Sequence, residues 1–96
     1  MKTLDIQAKE WFDRVNGNSY FSSNITIDFG LETEKSFYIP LTYGYENYYK
    51  DYSFEYLIKN GTITDGERME RIHNYCDRKG IILNCSKQEN CRKRDL

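Results

Sequence analysis

One histidine and three cysteines are the residues of this chain best suited to covalent or metal chemistry. His73 and Cys76 stand three positions apart. On a helix that spacing puts both side chains on one face, where they reach a single ion or where the imidazole activates a thiolate. Cys85 and Cys91 follow with five residues between them, wider than the two to four or so that a structural zinc site places within a ligand pair. No third group stands beside the pair to orient it, and no oxyanion-hole pattern is present. The simpler reading is a core histidine on an apolar helix face, with cysteines acting as small hydrophobes. Glu32 with Glu34, and Asp65 with Glu67 and Glu70, lie in polar segments without the apolar neighbours that raise a carboxyl pKa for acid–base work. The glycines are scattered through turns, so no phosphate-cradling loop is formed. The expectation is a protein that is not an enzyme and carries no metal or cofactor.

Binding chemistry is better represented. Tyr45, Tyr48, Tyr49, Tyr52 and Tyr56 crowd into twelve positions. Counted at about 100° per residue, Tyr49, Tyr52 and Tyr56 form one helical stripe, which Tyr45 extends, and Phe54, Leu57 and Ile58 form the opposite, core-facing stripe. Tyrosine offers a large contact area with a polar tip at low entropic cost and is enriched at interfaces. Tyr45, Tyr49, Tyr52 and Tyr56 are therefore the candidate partner-binding residues, with the acids Glu46, Asp51 and Glu55 beside them. The alternative is that these rings pack on the second helix or the sheet rim, with their hydroxyls in water. The same face would also serve self-association as a homodimer. A second class of function rests on Arg92, Lys93 and Arg94. With exposed aromatics on a sheet they would make a nucleic-acid-binding module. A solvated tail, with Asp95 following, is the plainer reading of that run.

Composition limits the partners. Ninety-six residues make one domain, 1–96, with a single small core. Charged residues are 30% and the mean hydropathy is −0.83, but aromatics at 16% oppose the composition of disorder. The net charge of −1 hides a gradient: residues 1–60 carry nine acids and six bases, and residues 61–96 carry six acids and eight bases. Neither half is charged enough to demand nucleic acid or an anionic membrane. The amino terminus has no apolar signal region, and no run approaches the roughly 18 apolar residues of a membrane span. The expected location is cytoplasmic, with reduced thiols.

Hydrophobic patterning then supplies the elements. Leu4, Ile6 and Ala8 alternate with polar residues as a half-buried strand, and Trp11 and Val15 fall on the opposite parity, which calls for a bulge near Lys9–Glu10 or cover on both faces. Asn16-Gly17 signals a two-residue hairpin turn. Phe21, Ile25, Ile27 and Phe29 face inward on the second strand, with Tyr20, Ser22, Asn24, Thr26 and Asp28 on the wet side. Phe37, Ile39, Leu41 and Tyr43 mark a third strand, placed at an edge by Pro40. A helix is expected from about Glu46 to Lys59, stopped by Asn60-Gly61. Thr64 with Glu67 resembles a capping box opening a second helix to Lys79, with Met69, Ile72, His73 and Cys76 inward. Ile81-Ile82-Leu83 begins a fourth strand, Ser86 to Asn90 reads as a loop, and Cys91 to Leu96 pairs back or frays. The fold class is α+β: a three-stranded antiparallel meander, two helices, and a C-terminal strand or short hairpin, the last strand placed beside the first.

The pattern Trp11-Phe12-Asp13, Gly17-Asn18-Ser19-Tyr20-Phe21, Tyr43-Gly44-Tyr45 and Arg92-Lys93-Arg94-Asp95-Leu96 resembles a group of short bacteriophage and prophage proteins of similar length. The resemblance spans the chain and implies a phage or mobile-element context. It carries no activity to any residue. In that context, a small protein without enzymatic motifs is expected to bind a host protein and inhibit or redirect it, an antiviral defence such as a CRISPR system included.

Overall fold

The computed structural model describes residues 1–96. The elements are β1 (Thr3–Asp13), β2 (Asn18–Ile27), β3 (Lys35–Tyr43), α1 (Tyr48–Lys59), α2 (Ile72–Lys79), β4 (Ile82–Gln88) and a terminal 3-10 turn (Lys93–Asp95). The sheet order is β3-β2-β1-β4. β1, β2 and β3 form the antiparallel meander, and β4 runs parallel to β1 on its free side. The α+β class, the edge position of the Pro40 strand and the placement of the last strand beside the first all agree with the sequence reading. No helix is long and apolar enough to cross a membrane.

Both helices cover the same sheet face. Leu4, Ile6 and Ala8 of β1 meet Phe21, Ile25 and Ile27 of β2 and Ile39 of β3 there. α1 adds Tyr49, Phe54 and Leu57, and α2 adds Ile72, Tyr75 and Cys76. Because successive strand side chains alternate between faces, the residues between these core positions form a second face, which no helix covers. α1 lies close on β2 where two buried serines meet, Ser23 Oγ and Ser53 Oγ being 3.1 Å apart.

Several expectations are corrected. The hairpin loop has four residues, since Asp13 pairs with Asn18. Only Gly17 takes a positive φ, +69°, and the Asp13 carboxylate fixes the turn by accepting the Val15 and Asn16 amides at 3.0 and 3.3 Å. The β1–β2 register is unbroken, so no bulge occurs near Lys9–Glu10. The irregularity lies on β3: Phe21 faces Thr42 and Ser23 faces Ile39, which leaves Pro40 and Leu41 opposite Ser22. A bulge on an edge strand is where a proline does no harm to the ladder. Phe29 is exposed because the chain turns at Asp28, φ 53°.

The second helix is half as long as its pattern suggests. Thr64 caps nothing, and helix begins only at Ile72. The acids of this segment have tertiary partners instead: Glu67, the expected cap partner, lies 3.5 Å from the Arg78 guanidinium, Asp65 accepts the Tyr75 hydroxyl at 2.6 Å, and Glu70 takes Arg78 through two 2.9 Å bonds. Met69 and His73, expected inward, are exposed. β4 continues through Ser86 to Gln88, where a loop was expected. The terminal segment forms the 3-10 turn, anchored where the Cys91 amide donates to the Glu10 carbonyl at 3.0 Å.

Candidate binding surfaces

The four sulfur and imidazole groups do not come together. His73 points to solvent while Cys76, one helical turn on, is buried. Burial pushes the Cys76 thiol up to about 11, away from the thiolate. Cys85 lies on the core side of β4 with its thiol also raised by burial, and Cys91 donates its thiol to the Gln88 carbonyl at 3.4 Å. No group of three His, Cys, Asp or Glu side chains is placed to hold a metal ion.

The tyrosines divide by helix face. Tyr49 is in the core, 4% exposed, and burial raises its hydroxyl pKa. Tyr52 and Tyr56 are half-buried and packed on the sheet. Tyr52 meets the Phe21 ring edge-on at 5.7 Å, and Tyr56 meets Phe37 at 6.0 Å. Tyr48 completes this ladder, 6.2 Å from Phe21 and 5.9 Å from Tyr52. The exposed member of the expected set is Tyr45, at 58%. Tyr45, Tyr49, Tyr52 and Tyr56 thus do not form one free face. The helix turns Tyr49, Ser53 and Leu57 inward because Ser53 lets β2 approach, and this rotates Ile58 outward.

Two exposed tyrosines the helical count left out adjoin Tyr45. Tyr43, Tyr45 and Tyr48 line a cleft of about 520 Å³ with Glu46, Asn47 and Asp51. Gly44 makes it possible: a Cβ there would stand 2.5 Å from Tyr48 Cδ2 and 3.0 Å from Phe21 Cε1. Glu46 takes φ 56°, and its carbonyl is held by Lys87 Nζ at 2.9 Å. Asp51 is paired with Arg71 at 2.9 Å, whereas the Glu46 carboxylate has no ion partner.

The uncovered sheet face carries a second aromatic group. Register places Trp11, Tyr20 and Tyr43 in one row across β1, β2 and β3. Trp11 and Tyr20 stack at 5.4 Å and 25°, and Tyr20 meets Tyr43 edge-on at 5.7 Å. The basic run comes to the end of this row. Lys93 Nζ stands 5.7 Å over the Trp11 ring, and Lys9 Nζ donates to the Asp95 carbonyl at 3.4 Å. Arg92 lines a cleft with Trp11, Phe12 and Arg14, and Arg94 lies in the same terminal turn. The odd parity of Trp11 against Leu4, Ile6 and Ala8 was the sequence signal for this face; the approach of the tail had none. Comparison of the chain with protein-family models, curated proteins and solved structures gives no match.

Proposed function

We propose that this chain is a non-enzymatic binding protein of a phage or mobile element, which engages a host protein and inhibits or redirects it, a component of an antiviral defence such as a CRISPR system being the kind of target its context suggests. The observation that carries the reading is the cleft of Tyr43, Tyr45 and Tyr48 edged by Glu46 and Asp51. Aromatic rings beside carboxylates suit a partner presenting arginine or lysine, which pairs with the acid and lies over the ring. Tyr45 is the candidate anchor, Tyr52 braces Tyr48 at the edge of the cleft, and Tyr56 and Tyr49 contribute to the packing of α1 on the sheet.

The test is capture of a host protein from lysate treated with nuclease, followed by affinity measurement with the purified partner. Tyr45→Ala should weaken binding by about 2 kcal/mol, roughly 30-fold, as loss of an interface anchor does. Glu46→Gln should weaken it less and flatten its salt dependence. Unchanged affinity in both variants, with circular dichroism matching the parent, would reject this surface.

A further inference from the structure

The face away from the helices holds a site that the tyrosine cleft does not explain. Its parts come from the two ends of the chain. The tip of the β1–β2 hairpin brings Trp11, Phe12 and Arg14, and the tail brings Arg92, around a cleft of about 450 Å³. Asp13 also lines it, but its carboxylate is engaged by the turn, with the Val15 and Asn16 amides and the Asn16 side chain donating to it. From this cleft the aromatic row runs on through Tyr20 to Tyr43.

The charge beside the row is cationic and free. Lys9, Arg14, Arg92, Lys93 and Arg94 take part in no ion pair. Asp95, the acid within the run, has its carboxylate turned onto the Arg92 backbone amide, 2.9 Å away. The acids of the tyrosine cleft are grouped elsewhere, on the chain leading into α1. Aromatic rings with unpaired lysines and arginines around them match a ligand with flat rings on a polyanionic backbone.

We infer that this face binds single-stranded nucleic acid, with a base stacking on Trp11 in the place now taken by Lys93 and the backbone phosphates reaching Arg92, Lys93, Arg94 and Lys9. The lysine over the indole is a weak, solvated contact that a base replaces. Once displaced, the ammonium is free to meet the phosphate of the nucleotide that displaced it. A single strand is required because the bases of a duplex are stacked on one another and offer no face to Trp11. The site goes beyond the protein-binding reading and is independent of it, Tyr43 alone bordering both.

Trp11 is the only tryptophan of the chain, so its emission reports directly on the site. A short oligothymidylate titrated into the whole protein at low salt should quench it. Contacts to about four phosphates should make the affinity fall roughly 50-fold between 50 and 200 mM salt. Arg92→Gln with Lys93→Gln should lower affinity more than tenfold and halve that salt slope, while Tyr45→Ala should leave both unchanged. Unaltered Trp11 emission at low salt, equal binding by the double variant, or a duplex bound as tightly as the single strand would each overturn the inference. The Tyr45→Ala arm keeps it apart from the protein-binding reading, which stands or falls on that variant's affinity for the protein partner and not on Arg92 or Lys93.

Discussion

At Gly44 the absence of a side chain permits a closer approach of neighbouring rings than at any other glycine of the chain. The residue is buried between Phe21 and Tyr48, with the tyrosine cleft opening beside it. A methyl group there would overlap the Tyr48 ring, and the ring cannot yield without leaving Phe21 or Tyr52. Gly44→Ala should therefore cost about 1–3 kcal/mol, the usual range for forcing an added carbon into a packed site, seen as a lower urea midpoint. Gly66→Ala serves as the control. Its added carbon would meet only the Ile58 and Ile63 side chains at 3.9 Å, ordinary contact distance, and its midpoint should stay near that of the parent. A Gly44→Ala midpoint equal to the Gly66→Ala one would show that Tyr48 is not held as described. The requirement at Gly44 is for close approach rather than for backbone freedom, since its φ is not positive.

The docking of α1 on β2 shows what an element can and cannot announce. Strand alternation is local, so Leu4, Ile6 and Ala8, then Phe21, Ile25 and Ile27, declared their shared face, and Pro40 declared its edge. The rotation of α1 about its axis was not local. Periodicity counts serine as polar and so favoured Phe54, Leu57 and Ile58; Phe54 and Leu57 are buried as expected, but the buried strip also takes in Tyr49 and Ser53 and leaves Ile58 outside. The reason is the Ser23–Ser53 contact, whose partners are thirty residues apart. In the same way, Thr64 with Glu67 read as a helix start, whereas the segment is held by Tyr75 and Arg78 of α2, which bind Asp65 and Glu70 across a loop. The proposed binding surfaces were legible to the same degree. Tyr45 was visible, as was the outward parity of Trp11, but the meeting of Lys93 with Trp11 depends on the whole fold. The serine contact can be tested as a pair. Ser53→Ala leaves the buried Ser23 hydroxyl without its partner, and the loss should be about 1–3 kcal/mol in urea unfolding. The double variant Ser23→Ala with Ser53→Ala should be less unstable than the two single losses added together, because neither hydroxyl is then stranded. Strict additivity would mean that the two hydroxyls do not bond.

The molecule as a whole is a thin two-layer structure, 42 × 30 × 20 Å. Its accessible surface of 6563 Å² exceeds the about 5,800 Å² that the size scaling gives for a compact monomer of this mass. With only one sheet face covered, stability leans on the ties that hold the central strand and the irregular segments. Two of these ties titrate. The Lys2 amide, the Thr33 hydroxyl and the Thr3 amide all donate to the Asp28 carboxylate, holding the start of β1, and these bonds lower its pKa to about 2. The Lys79 ammonium and the Tyr75 hydroxyl hold Asp65 at about 2, fixing the segment before α2. An unfolded aspartate titrates near 3.9. Between roughly pH 4 and pH 2 the unfolded chain thus binds more protons than the folded one, so stability falls as the pH drops. The contribution is fully present above about pH 4 and lost as the pH falls through the folded value near 2. Urea midpoints measured across this window should decline steeply for the parent. Asp28→Asn and Asp65→Asn together should give a protein that is weaker at neutral pH but whose decline between roughly pH 4 and pH 2 is clearly shallower. The residual slope would then belong to Glu70, which the Arg78 guanidinium also holds below its ordinary value, and to Asp13, which the Asn16 side chain and the Asn16 and Val15 amides hold below its own. A double variant that keeps the full parental slope would show that these two carboxylates are not the ties through which acid opens the fold.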